Sequence, residues 1–298
     1  MSSSAPDYAN PTASTSFWSD ATEWRASVTR AVLPQILAFG AIGVLARVVH
    51  LLWPWDRVAL VHIEYTGALL VLLLVFRTNA GYDRWWEARK LWGGIVNQSR
   101  NLAMKGLAFG PSEPAWRARW VAWTATFPHA ARRSLRGETE IPEIARLVGE
   151  EGAALVRAGH MPSAVALQLA SLLNEARASG AMDGFAFIET DRERATLIDH
   201  IGGCERILRT PAPRIHAIKL RRFIVLYLVA VPFVIVNVSG WATPVLAMLV
   251  AYPLLAIDRI GVELENPFST ARLSHLPLDL ICETIETNVL SYARAPAP

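Results

Sequence analysis

The stretch from Val58 to about Leu107 constrains this chain more than any other. It opens as an apolar run, Val58-Ala-Leu-Val-His-Ile-Glu-Tyr-Thr-Gly-Ala-Leu-Leu-Val-Leu-Leu-Leu-Val-Phe76. It then passes directly into Arg77-Thr-Asn-Ala-Gly-Tyr-Asp-Arg-Trp-Trp-Glu-Ala-Arg-Lys-Leu-Trp-Gly93, and no proline interrupts it. A continuous helix of this length is roughly 75 Å long, more than twice a ~30 Å hydrocarbon core. The stretch predicts one long helix, half in lipid and half projecting into water.

Composition agrees with that division. Of the 298 residues 52% are hydrophobic and only 18% charged, whereas soluble domains carry about a quarter charged residues. The mean hydropathy is +0.27. This is a membrane composition diluted by a soluble part. The net charge of +3 is small, and many arginines sit beside apolar runs, which points to membrane topology rather than nucleic acid. Two cysteines, Cys204 and Cys282, form neither a disulfide framework nor a CxxC pair, so metal and redox chemistry have no support and no cofactor is expected.

In chain order, residues 1–24 predict a disordered tail with an interfacial aromatic segment, Phe17 to Trp24, rather than a cleaved signal peptide. Residues 25–76 predict the first membrane pair, with spans over Ala31–Trp53 and Val58–Phe76 separated by a Trp53-Pro-Trp-Asp56 turn. Arg47 lies close enough to the far end of the first span to snorkel, and Pro34 falls in its first turn. Residues 77–222 are too charged to cross a membrane. Helical stretches at Trp116–Phe127, Ile141–Ala158 and Ser163–Ala178, with no convincing alternation, make this region all-α. Residues 223–260 predict a second pair, Phe223–Val238 and Val245–Ile257, and residues 261–298 a C-terminal segment with a helix over Leu280–Tyr292. Basic residues cluster before the first span, after the second, before the third and after the fourth. The positive-inside rule then places both termini and the middle region in the cytoplasm of a multi-pass inner-membrane protein.

Motifs of catalysis are missing. There is no P-loop, GxGxxG after a strand, HExxH or GxSxG, so an enzyme is not expected. Glu64, inside the second apolar run, is costly in lipid and is either a pore-mouth residue or an interfacial one reached by water. Ala68, Leu72 and Phe76 are spaced by four and share one helical face; by itself this spacing reads as ordinary apolar packing. Gly67 beside them allows helices to approach closely. Further on, Tyr82, Trp85, Trp86 and Trp92 interleave with Arg84, Glu87, Arg89 and Lys90. Such a band implies a helix gripped on several sides, with Glu87 and Lys90 spaced to pair at i,i+3.

The run Phe76 to Gly93 resembles the bestrophin family in its bacterial branch. Gly203-Cys-Glu-Arg-Ile207, Thr210-Pro-Ala-Pro213, Glu263-Leu-Glu-Asn-Pro-Phe268 and Leu276-Pro-Leu-Asp279 extend the resemblance over almost the whole chain beyond the tail. It implies an all-α homopentamer with four transmembrane helices per subunit and a cytoplasmic helical bundle. The pentamer would conduct small monovalent ions passively through a neck lined by the second helix. Counted back from Arg84-Trp85-Trp86, the neck positions fall on Ala68, Leu72 and Phe76. Family members carry a larger apolar residue where this chain has Ala68, so Leu72 and Phe76 are left as the main constriction. A second, cytoplasmic constriction maps to Ile188. Arg84, Trp85, Trp86 and Glu87, together with Glu265, Asn266, Pro267 and Phe268, map to structural motifs. Eukaryotic relatives bind calcium through an acidic cluster after Asn-Pro-Phe. Here Ser269 to His275 has no carboxylate, so calcium gating at this site is not expected.

The resemblance favours chloride or another anion, while the residues leave the sign of selectivity open. Arg77 on a lumen would attract anions, and Glu64 at the outer mouth cations. The alternative from another class is a membrane-anchored scaffold whose cytoplasmic bundle binds a partner protein. Oligomeric state separates the two.

Overall fold

The computed structural model describes residues 27–55 and 63–293, together with 17, 18 and 22. The expected tail over 1–24 lies almost wholly outside the described residues, as do Asp56 and the Val58–His62 start of the second span. The helices are α1 (Thr29–Leu52), α2 (Ile63–Phe109), α3 (Pro114–Arg136), α4 (Pro142–Arg157) and α5 (Met161–Ala178). They continue as α6 (Gly184–Arg209), α7 (Arg214–Ser239), α8 (Thr243–Leu264) and α9 (Leu278–Tyr292). A 3-10 turn, Gly240–Ala242, joins α7 to α8, and no strand occurs among the described residues. The all-α membrane class therefore holds. Among the described residues three segments are long and apolar enough to cross a membrane: Thr29–Leu52, Ile63–Phe109 and Arg214–Glu263. The third comprises two helices, α7 and α8.

The long helix expected from the sequence is α2. Its 47 residues make a rod of about 70 Å, and its interior lacks the proline that would break it. The chain divides into two compact units, and α2 contributes to both. The first unit contains α1, α2 as far as Trp85, and the segment Pro211–Glu265 with α7 and α8, together with Arg272–Ser274. The second runs from Trp86 to Thr210 and includes Asn266–Ala271 and the chain from His275.

In the first unit, α1 buries Val32, Ile36, Phe39, Gly40, Gly43 and Ala46, a stripe at three- and four-residue intervals that packs on α7 and α8. Arg221, early in α7, pairs with Asp258, late in α8, at 3.0 Å, so the two helices form an antiparallel hairpin. The core joins Phe39, Leu70, Leu74, Ile224, Leu228, Ala251 and Leu254. Two local expectations shift. Helix α1 starts at Thr29, which puts Pro34 in its second turn rather than its first. Helix α7 starts at Arg214, ahead of the expected Phe223, so Lys219, Arg221 and Arg222 are helical. Arg47 is not simply solvated: its guanidinium lies 5.8 Å from the centroid of the Trp241 ring, a cation–π contact at the α7–α8 turn.

The second unit is a helical bundle around α3, which packs on α4, α5, α6 and α9. Trp116 and Trp120, one turn apart, stack with centroids 5.3 Å apart and an interplanar angle of 8°. Both are fully buried, as are Phe127, Leu169, Leu173 and Phe268. Arginines near the end of α3 gather carboxylates from α4 and α9. Arg132 pairs with Glu143 at 2.9 Å and Asp279 at 2.7 Å; Arg133 pairs with Glu143 at 2.6 Å and Arg136 with Asp279 at 2.9 Å. His129, buried, meets Glu286 at 2.8 Å.

This network makes the second unit sensitive to acid. Burial alone would raise the Glu143 carboxyl, but hydrogen bonds from Arg133 and Arg132 hold it at about 2, against an ordinary 4.5. Asp279 is lowered in the same way: burial opposes the shift, and Arg136 and Arg132 outweigh it. Burial also lowers His129, although its bond to Glu286 works against the shift. A depressed carboxyl contributes stability that is present above its unfolded value and lost as pH falls through its folded value. A depressed histidine likewise loses stability on acidification. The thermal midpoint of the purified protein in mild detergent is therefore expected to drop as pH falls from about 6 toward 3, with Glu143 contributing to the loss. Glu143→Gln should flatten that slope; an unchanged slope would assign the acid sensitivity elsewhere.

Candidate functional site

The apolar half of α2 has two unlike sides. Between Ile63 and Ala80 only Leu70 (2% exposed) and Leu74 (0%) are buried, and both join the core with Ile224, Leu228 and Leu254. Gly67 sits on this inner side. A Cβ there would lie 2.4 Å from the Tyr227 hydroxyl oxygen, so the missing side chain is what admits Tyr227 of α7. The close approach expected at Gly67 is thus to a tyrosine ring. Residues two positions apart on a helix differ by about 200° around its axis. Ala68, Leu72 and Phe76, each displaced by two from Leu70 or Leu74, consequently face away from the subunit's own core. All three are exposed, Leu72 at 50% and Phe76 at 61%.

The apolar span of α2 is also the least covered of the membrane candidates. Within the chain 11% of its apolar window is buried, against 33% for α1 and 28% for the α7–α8 segment. Tyr65, Leu69, Val71, Leu73 and Val75 are exposed beside the 68–72–76 face. The described residues of one chain therefore leave this helix bare on most sides.

The charged residues around this face resolve more sharply. Glu64 is exposed near the described start of α2. Arg77, directly after Phe76, is held by carboxylates of its own subunit. Its guanidinium pairs with Asp258 of α8 and lies 3.5 Å from Glu265, with its side chain 14% exposed. A positive charge that would favour anions in a pore is thereby neutralised in place. Neither carboxylate is near Arg77 in sequence, so no local pattern marked this pairing.

The aromatic and acidic motifs act as struts. Trp85 donates its indole N–H to the Ser274 carbonyl at 2.7 Å. Trp86 is 47% exposed. Glu87 pairs with Arg206 of α6 at 2.6 Å, not with Lys90 as its i,i+3 spacing suggested. After Glu265, the Asn266 side-chain oxygen accepts from the Phe268 N–H at 3.1 Å, and the Pro267 carbonyl accepts from the Leu276 N–H at 2.7 Å. Glu263 is a strut that the motif reading passed over. It is 3% exposed, accepts from the Leu273 N–H at 3.0 Å and pairs with Arg259 at 2.8 Å. Its signal was the Arg259-to-Glu263 spacing of four.

Ile188, expected at a cytoplasmic constriction, sits in the opening turns of α6, which Asp183 caps by accepting from the Phe185 and Ala186 N–H groups. Ile188 is 58% exposed and Phe185 86% among the described residues, an apolar tip of the helix. Asp279, the first carboxylate after the Asn-Pro-Phe motif, is held by Arg132 and Arg136 rather than open to a cation. Cys204 and Cys282 are buried and unpaired with each other, and burial pushes the Cys204 thiol up to about 12, which leaves it an inert core residue.

Comparison with known proteins places this arrangement. The family described as Bacterial/Fungal Bestrophin protein matches residues 10–291. A voltage-dependent anion channel-forming protein of Ralstonia nicotianae is 34% identical over 253 residues, covering 83% of this chain and 82% of the relative. A protein of the same description from Synechocystis is 33% identical over 297 residues, covering 96% and 95%. The crystal structure of a bacterial bestrophin homolog from Klebsiella pneumoniae superposes with a TM-score of 0.81 at 26% identity, covering 89% of this chain and 99% of that one.

Proposed function

The chain belongs to the bacterial and fungal bestrophin family, and from that premise we propose that it is an anion channel, not an enzyme. One observation carries the proposal. Helix α2 docks on its own subunit through Leu70 and Leu74 and leaves the opposite apolar face, Ala68, Leu72 and Phe76, uncovered. Repeated around an axis in a homopentamer, that face lines a neck with no charge of its own. Such a neck gates by wetting and dewetting and passes small monovalent ions down their gradient. Leu72 and Phe76 form the constriction, Ala68 the wider outer neck, and Ile188 a second apolar ring at the tip of α6. The relatives named as anion channel-forming proteins support the anion preference. The basic clusters flanking the spans support an inner-membrane topology with four spans and both termini in the cytoplasm.

A reversal-potential measurement on reconstituted protein in asymmetric potassium chloride tests the reading directly. The expected potential lies near the chloride equilibrium value. A potential near that of potassium would overturn anion selectivity, and a silent bilayer would overturn the channel. Mass measurement in mild detergent should give five copies; a monomer or dimer would favour the scaffold instead.

A further inference from the structure

Within the first unit a cavity of about 800 Å³ opens between α2, the start of α7 and the end of α8. Its floor is apolar, built from Leu73, Phe76 and Ala80 of α2 and Ile218, Leu220 and Phe223 of α7. Five cationic residues, Arg77, Arg84, Arg214, Lys219 and Arg221, line it against a single carboxylate, Glu265. Asp258 pairs with both Arg77 and Arg221 from behind and offsets one of their two charges. Arg214 and Lys219 are exposed and make no ion pair among the described residues. The cavity thus keeps a net positive rim over an apolar floor.

Its level along α7 is informative. Lys219, Arg221 and Arg222 immediately precede the apolar run that begins at Phe223. This is the depth at which headgroups meet acyl chains, and basic pockets between helices there recruit acidic lipids. The volume falls within the roughly 300–1,000 Å³ of small-molecule sites, enough for a headgroup and the upper part of its chains.

We propose that this cavity binds an anionic phospholipid, with its phosphate at Arg214 and Lys219, Arg84 alongside, and its upper acyl chain over Leu73, Phe76 and Phe223. A soluble phosphate would leave the apolar floor unused. A zwitterionic lipid would bring no net charge to answer the excess on the rim. Because Phe76 belongs both to this floor and to the proposed neck, an occupied cavity braces the constriction from behind. That last consequence rests on the channel reading; lipid binding itself does not.

The test is native mass spectrometry of the delipidated full-length protein titrated with phosphatidylglycerol. The wild type should retain phosphatidylglycerol in preference to phosphatidylcholine, and the double variant Arg214→Gln/Lys219→Gln should lower that retention at least about ten-fold. Arg222→Gln, outside the lining, should leave retention unchanged, and glycerol 3-phosphate should not compete. Equal retention in wild type and double variant, or of both lipids, would overturn the site. Effective competition by glycerol 3-phosphate would make the ligand a soluble phosphate. Dissociation of the double variant into single chains with unchanged lipid per chain would make the cavity a contact between copies. If phosphatidylglycerol binds as expected but conductance ignores the lipid composition of the bilayer, the bracing of Phe76 is wrong and the binding site stands.

Discussion

Truncating Leu72 and Phe76 together to alanine is expected to raise single-channel conductance several-fold. From Ala68 to Phe76 the face runs eight positions, about 12 Å of helix axis, so a narrow neck of that length dominates the resistance of the whole path. Its barrier is the cost of holding water and an ion beside apolar walls, and removing a ring of leucine and a ring of phenylalanine widens the tube and lets water fill it. Fold loss does not mimic this result, because both side chains are exposed in the subunit, at 50% and 61%, and neither belongs to its core. Leu74→Ala supplies the contrast. Leu74 is fully buried, so its truncation should cost about 2–5 kcal/mol of stability without opening the neck. Single-channel recording on the two variants separates the faces. Unchanged conductance in the double variant would mean that another side of α2 lines the pore.

Trp120→Ala is expected to be the most destabilising single truncation in the second unit, at about 3–5 kcal/mol. The indole is fully buried, stacks on Trp116 at 5.3 Å, and donates its N–H to the Leu102 carbonyl at 3.2 Å. It lies against the backbone of α2 at Gly106, where a Cβ would come 2.0 Å from the indole nitrogen. That contact is backbone against ring and has no side chain that could turn aside. Gly106→Val should consequently destabilise too, by pushing the same ring out of its slot. Thermal unfolding in mild detergent checks both, and a loss below about 1 kcal/mol in Trp120→Ala would mean that the bundle collapses around the missing ring.

How far these features were legible differs from residue to residue. The path of α2 was, because a proline-free run that turns from apolar to charged admits few structures. Two helices of the bundle, Pro142–Arg157 and Met161–Ala178, were legible to within two residues, whereas Pro114–Arg136 runs nine residues past the expected Phe127 and Gly184–Arg209 was not singled out. The partner of Glu87 was misread because spacing names neighbours along one helix, while Arg206 arrives from another. The role of Arg77 stayed open for the same reason, as its carboxylates lie far along the chain on α8 and just beyond it.

What the sequence determines by itself is therefore the kind of molecule: a membrane protein, all-helical, with one helix too long for the bilayer and a family-specific run at its middle. Hydrophobicity counts how much apolar surface a segment carries, and that count is enough to choose lipid over water. It does not choose a face. From Ala68 to Phe76 the helix is apolar almost all round, apart from Gly67 just before it, so no periodicity distinguishes the side that packs from the side left bare. Only the tertiary structure decides that, by placing Ile224, Leu228 and Leu254 against Leu70 and Leu74 and thereby turning Leu72 and Phe76 outward.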